Sequence, residues 1–367
     1  SVGLQLAALV LGESDDAESF ADRFARSSHR LISDYLVDEV LEKLDAKHRI
    51  ELLQISLLDQ FCAPLCEAIA GPDASEDFGR HFIEFLWRSN IFVFALDDEG
   101  IWYRYHHLFR DLLHNRLRQL SSEKRMAELH GRAAAWYEKE GLIGPAISHF
   151  VAGNTLAAAV QLLERSFLQV LDQDDWRRLE RWLSTLPAGA HELPPVQVFQ
   201  AYIAHFRFHY EECLRLLDAA EEGFKDIQHG ADEEKLRIYA GIINTIRAVA
   251  LDVRGSPERS LLHAEEALQQ LPQSLTAPYS LAEFHYYDAK RRMGEGKHAL
   301  QLAQQALQSR PLDKPDARTL RLLMAIGNYY HAQADVANVL VTAEMLRNLA
   351  LKAKNTIAFG WGVYGLG

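Results

Sequence analysis

Several common features are missing from this 367-residue sequence, and each absence narrows what the chain does. It has no Gly-x-x-x-x-Gly-Lys-Ser/Thr loop, so the backbone cradle and lysine that grip nucleotide phosphates are lacking. No apolar run reaches the roughly 18 residues that a membrane-crossing helix requires, and no signal-peptide pattern opens the chain, so a cytoplasmic protein is expected. Cysteine is scarce: Cys62 and Cys66 are one helical turn apart and Cys213 is remote. Without a second pair or a matching histidine set they read as buried thiols in a reducing compartment, and no metal site is expected. Basic residues are outnumbered, 39 Lys and Arg against 51 Asp and Glu, for a net charge of −12. A chain this acidic does not grip nucleic acid by itself, because neutralising phosphates takes a basic face. Paired-carboxylate and Ser/His/Asp signatures are missing too, and acids such as Asp174, Asp175 and Glu180 read as solvated helix faces, so no catalytic residue is assigned. What is present, 48% hydrophobic and 25% charged residues, is the composition of a folded protein.

The most informative stretch runs from Asn90 to Leu117. Asn90-Ile-Phe-Val-Phe-Ala-Leu96 is a short apolar, β-branched and aromatic run, Asp98-Glu-Gly100 supplies turn chemistry, and Ile101-Trp-Tyr-Arg-Tyr105 reads as the returning strand. The period then changes, with Leu108, Phe109, Leu112, Leu113 and Leu117 at helical spacing. Upstream, the spacing predicts an amphipathic helix over 31–44, then helices over 47–58, 60–70 and 78–89. Three or four helices followed by a hairpin that runs into a helix make a winged-helix module, with His106 at the strand-to-helix junction.

Arg104-Tyr-His-His-Leu-Phe-Arg-Asp-Leu112 resembles the Met-His-Asp-type motif of the signal-transducing P-loop ATPases, in particular the MalT-like, LuxR-type transcriptional regulators. Gly3-Leu-Gln-Leu-Ala-Ala-Leu9 resembles the helix that closes their ATPase core. Arg30-Leu-Ile-Ser-Asp-Tyr-Leu-Val-Asp-Glu-Val-Leu41 resembles the start of their winged-helix arm. By this resemblance His106 takes the place of the histidine that contacts the phosphates of bound ADP, while His107 stands where many relatives carry aspartate. The resemblance implies a piece of a longer regulator: ATP or ADP with magnesium held by a P-loop outside this sequence, DNA bound through another absent domain, and self-association of the intact protein. A single histidine contact is worth about 1.5–3 kcal/mol against the ~8 kcal/mol that micromolar binding requires, so the chain alone is expected to need no cofactor and to hold no nucleotide.

From Ser121 onward the strand signal disappears and alanine-rich helical periodicity takes over. Leu129–Tyr137, followed by Gly141, Ala146 and Ala152, predicts a helix pair. Ala264-Glu-Glu-Ala-Leu-Gln-Gln-Leu-Pro272 and Ala303-Gln-Gln-Ala-Leu-Gln-Ser-Arg-Pro311 repeat at an offset of 39, each with a glycine nine residues before its first alanine, Gly255 and Gly294. Ala343 continues the series with Ala334 in the glycine's place, and Ala219 with Tyr210 is the expected earlier member. Small residues let helices approach, glycine opens the turn and proline ends the second helix, which is tetratricopeptide-like logic at a period longer than the standard 34 or so.

The expected fold is therefore mainly α: a winged-helix domain with a small β-hairpin, followed by a tetratricopeptide-like α-superhelix. The expected divisions are a remnant of an ATPase core and connector over 1–30, the winged-helix arm over 31–118, a helical linker over 119–175 and the repeat array over 176–367. Three aromatic–histidine clusters fall on first helices of the repeats: Tyr202 to Tyr210 with His205 and His209, Phe284 to Tyr287 with His285 and Tyr286, and Tyr329-Tyr330-His331. Tyr202, His205, His209, His285, Tyr286, Tyr330 and His331 are the candidate surface for a small-molecule inducer or a regulatory protein, set against the alternative that such aromatics fill the inter-repeat core. The functional expectation is a regulatory sensor acting on an ADP/ATP switch; the other reading is a helical-repeat scaffold for protein–protein interaction.

Overall fold

The computed structural model describes residues 41–367 apart from 43, 73, 76, 90, 174 and 227–231. The predicted helix over 31–44 and the segment 3–9 therefore lie outside the described residues, except for the last positions of that helix. The chain divides into two compact units, Ser1–Thr155 and Leu156–Gly367. That division falls inside the stretch expected to be a helical linker.

In the first unit, helices α1 (Ala46–Ile55), α2 (Ala63–Ala70) and α3 (Phe78–Arg88) precede strands β1 (Val93–Ala95) and β2 (Tyr103–Tyr105). Helices α4 (His107–Leu120), α5 (Glu123–Lys139) and α6 (Ile143–Ala152) follow. Each start has a local cause. The Asp45 carboxylate accepts from the backbone N–H of His48 at 2.9 Å, and Pro64 sits in the first turn of α2, where its missing N–H costs nothing. The strands are antiparallel with Val93 opposite Tyr105. Asp97 closes their turn, its carboxylate accepting from the N–H groups of Ile101 and Trp102 at 2.7 and 2.9 Å. On its other side β2 bridges to Phe61, with Phe61 and Tyr103 exchanging both backbone hydrogen bonds at 2.8 Å. This third backbone partner was not visible as a strand in the sequence, because it is one residue long. The core gathers Leu52, Ile55, Phe61, Leu65, Ile69, Leu86 and Phe109, all essentially inaccessible to solvent. Cys62 and Cys66 are free and buried in it, as expected, and burial raises both thiol pKa values.

The second unit is all helix among the described residues. It runs through α7 (Leu156–Gln173), α8 (Trp176–Leu183), α9 (Pro194–Phe206), α10 (Tyr210–Asp226), α11 (Glu233–Val253) and α12 (Pro257–Gln270). It continues with α13 (Thr276–Lys290), α14 (Gly296–Gln308), α15 (Ala317–Ala332), α16 (Val336–Ala353) and α17 (Thr356–Leu366). The predicted repeat is realised as pairs, α11 with α12, α13 with α14 and α15 with α16. Gly255 and Gly294 occupy the intra-pair turns at φ +80° and +92°, and Ala334 takes the same left-handed place at +54°. Ala264, Ala303 and Ala343 are buried where the paired helices meet.

One repeat member needs correcting. In the α9–α10 pair the left-handed turn residue is Phe208, at φ +61°, not Tyr210. Counting on from it puts Leu217, not Ala219, at the position of Ala264; Leu217 is fully buried and Ala219 is exposed. The sequence misled here because a bulky residue carries the strained turn and a leucine fills the place of an alanine, so neither small-residue signal is present.

Candidate functional site

Two places are candidates for a functional site, one in each unit. At the hairpin-to-helix junction, His106 donates its backbone N–H to the carbonyl of Phe92 at 2.8 Å, prolonging the hairpin ladder by one residue. It is also the N-cap of α4: its Nδ1 accepts from the backbone N–H of Leu108 at 3.3 Å. That bond has a chemical consequence. A ring nitrogen that accepts is unprotonated, so in the neutral imidazole the proton sits on Nε2, which becomes a donor. Partial burial, together with the neighbouring His107 and Arg104, lowers the His106 pKa and keeps the ring neutral. Capping therefore leaves the other ring nitrogen as a donor. The ring lies tilted against His107, centroids 4.3 Å apart, and 6.0 Å from Phe94. Arg110, one turn into the helix, pairs with Asp59 and with Asp111. Among the described residues no group of three or more His, Cys, Asp or Glu side chains is placed to hold a metal ion.

In the second unit a cavity of about 380 Å³ opens among the first helices of successive repeats. Its wall takes His205 and Phe206 from the end of α9, Phe208 and Tyr210 from the turn into α10, Val249 and Val253 from α11, and Phe284 and His285 from α13. Leu320, Arg321 and Met324 of α15 and Ile357 and Trp361 of α17 complete it. The polar wall groups are mostly committed. His285 Nδ1 lies 3.3 Å from an Asp252 carboxylate oxygen, whose partner oxygen accepts from Arg292 at 2.6 Å. Burial alone would raise the Asp252 pKa, but the His285 hydrogen bond and the Arg292 guanidinium hold it below the ordinary value. Arg321 donates to the Ala277 carbonyl at 3.0 Å and to Ser280 Oγ at 2.8 Å, and Asn355 Oδ1 accepts from the Ala358 N–H at 2.8 Å. His205 differs: its Nδ1 is buried with no hydrogen-bond partner among the described residues. Burial, and then the nearby His285, pushes its pKa down to about 4, so the ring is neutral. An unmet buried polar atom costs about 1–3 kcal/mol, so a protein rarely keeps one without a use.

Of the residues singled out from sequence, the structure brings His205 and His285 together in this cavity. Tyr202 is only 1% exposed and packs edge-on against Phe167 and Phe206, which makes it core. His209 is exposed beside Glu212 at 3.6 Å, and Tyr286 and Tyr330 pack half-buried against the cluster around Phe284 and Ile326. His331 is exposed at the end of α15. Arg321 and Trp361 escaped sequence reasoning. Arg321 had a signal, an arginine inside the apolar run Leu320 to Met324, whereas Trp361 had none.

A second cavity of about 560 Å³ lies between α10, α11 and α12 and is lined by Glu221, Asn244, Arg247, His263 and Glu266. Arg247 crosses it to Asp218 and Glu221 at 2.7 and 3.0 Å.

Residues 37–125 match the family model of the MalT winged helix domain. Over these residues the chain is similar to that domain. It is 30% identical over 311 residues to the HTH-type transcriptional regulator MalT of Serratia proteamaculans, a match covering 84% of this chain and 33% of that protein. To the MalT of Yersinia enterocolitica it is 29% identical over 315 residues, with the same shares covered. The chain thus spans about a third of the length of the curated relatives it matches. Its fold is shared by the crystal structure of a Signal Transduction ATPase with Numerous Domains protein with a tetratricopeptide repeat sensor from Pyrococcus horikoshii. There the TM-score is 0.65 at 16% identity, over 99% of this chain and 56% of the other. The mainly α fold expected from sequence, winged helix first and tetratricopeptide-like helices behind it, is the fold observed.

Proposed function

We propose that this chain is the arm and sensor of an ATP-dependent, LuxR-type transcriptional regulator, in which the repeat array receives a signal and the winged-helix arm passes it to a nucleotide switch. The observation that carries this reading is the His106 junction. A motif similar to the family's phosphate-contacting histidine is folded so that Nδ1 is taken by the helix cap and Nε2–H is left as a donor. In the longer protein His106 contacts the phosphates of ADP, magnesium and ATP are held by a P-loop outside this sequence, and DNA is reached through a further domain. The chain itself catalyses nothing. The repeat array shifts the equilibrium between an ADP-locked form and a self-associating ATP form, which requires a ligand that binds one form better than the other. The acidic balance of the chain supports an arm that works inside a protein and not on DNA. None of the described helices is long and apolar enough to cross a membrane, which is compatible with the cytoplasmic location proposed for it.

Isothermal titration of the chain with ADP tests the division of labour. One donor supplies only a few kcal/mol, so no saturable heat is expected at sub-millimolar nucleotide. Micromolar affinity would mean that the chain carries a nucleotide site of its own and would overturn the reading.

A further inference from the structure

The helical-repeat unit contains a cavity whose chemistry is narrower than "a sensor surface". Its volume, about 380 Å³, is at the lower end of small-molecule sites. Its wall is predominantly hydrocarbon and aromatic, from Phe206, Phe208, Val249, Phe284, Met324 and Trp361. Among the described residues no aspartate or glutamate lines it, so nothing there favours a cation. The polar side chains in the wall are His205, Tyr210, His285, Arg321 and Asn355, and the last three are bonded within the protein. A polyhydroxylated guest would therefore strip water from many hydroxyls and find few partners in return. His205 and Tyr210 remain, and of the two only His205 has a buried atom with no hydrogen-bond partner among the described residues, its Nδ1; a neutral imidazole always keeps one bare nitrogen.

We propose that this cavity binds a small, uncharged, largely apolar ring compound carrying one hydrogen-bond donor, with His205 as the residue that recognises the donor. The proposal rests on the sensor reading of the repeats for its regulatory meaning, but its binding chemistry is tested on the chain alone. The aromatic wall supplies affinity, because apolar area is removed from water on both partners, and His205 supplies selectivity. A guest of the same shape without a donor leaves the imidazole nitrogen unmet, and a site built around a hydrogen bond discriminates strongly against such a guest.

Calorimetric titration of the full chain with indole and with indene, which are alike in shape but differ by one N–H, separates the two contributions. Indole is expected to bind with sub-millimolar affinity and indene about tenfold or more weakly. In His205→Leu that preference should vanish while indene affinity is kept or improved. Val253→Trp, at a half-exposed wall position, should weaken both guests without touching the packed core, and it serves as the second test if the leucine variant does not fold. Glucose should produce no binding heat. Absence of binding by either ring compound up to about 1 mM, glucose binding as tightly as indole, or an indole preference that survives His205→Leu would each overturn the proposal. Those outcomes leave the nucleotide reading untouched, since that reading fails only on ADP.

Discussion

His106 and His205 stand at opposite ends of a helix and in opposite conditions. His106 is half-exposed at the start of α4, with one nitrogen fixed by the backbone N–H of Leu108 and the other left as a donor. His205 lies near the end of α9, its Nδ1 buried with no partner among the described residues, in a wall that five helices and a turn assemble. The first is made by a contiguous motif and a local cap. The second exists only because residues more than a hundred positions apart are stacked by the repeats. Their units are held differently as well. In the winged helix α3 packs backbone-close on α2 at Gly79, and in the repeats the buried pair Arg318–Glu283 ties α15 to α13.

The largest expected effect comes from that second kind of tie. Arg318 grips the buried Glu283 with two hydrogen bonds, at 2.7 and 2.8 Å, and carries its guanidinium over Tyr279. Arg318→Met takes the counter-charge from a carboxylate that keeps the Tyr287 hydroxyl at 3.2 Å, and should cost about 3–5 kcal/mol in denaturant unfolding of the second unit. A loss below about 1 kcal/mol would show that the repeats do not rely on the pair.

Acid should then separate the two units. His130 and His149 share a hydrogen bond at 3.0 Å in the first unit, and burial lowers both to about 4. His205 in the second is lowered likewise. The unfolded histidines titrate near 6.5, so between that value and about 4 the unfolded chain binds more protons and stability falls as pH falls. The loss should be on the order of 1–2 kcal/mol for each histidine lowered that far, greater for the first unit, which holds two of the three. Hydrogen exchange at pH 7 and pH 5 checks it; equal loss in both units would break the comparison.

Backbone approach gives a smaller effect confined to the winged helix. A Cβ placed on Gly79 would stand 2.0 Å from the Ala63 carbonyl oxygen, so Gly79→Ala has to push α3 away from α2. Overpacking of this kind costs about 1–3 kcal/mol, read as a lower midpoint for the first unit alone. The smallest effect is that of His106→Ala on stability. It removes a long cap hydrogen bond and should cost about 0.5–1 kcal/mol.

The sequence exposed whatever is written in short windows. The hairpin was readable from Asn90 to Tyr105 and the capped helix from His106. The repeats were readable wherever Gly255, Gly294 and their alanines keep the pattern. Legibility failed where geometry is produced by packing. Phe208 takes a left-handed turn with no glycine to announce it, and Phe61 contributes a one-residue bridge. Tyr202 carries the same aromatic signature as its neighbour His205, yet it faces the core. Helical spacing places residues on a face, but it does not say whether the next repeat covers that face. That is why two of the seven candidate surface residues meet in the cavity while Arg321 and Trp361, from helices further along, had to be supplied by the structure.

The central claim, that His106 turns a helix cap into a phosphate contact, is met most directly by measuring ADP retention in the longer regulator with and without His106→Ala. The account predicts faster ADP release in the variant while α4 stays folded, because the loss is that of the Nε2–H donor and not of the domain. ADP retained as tightly as by the unaltered protein would contradict it.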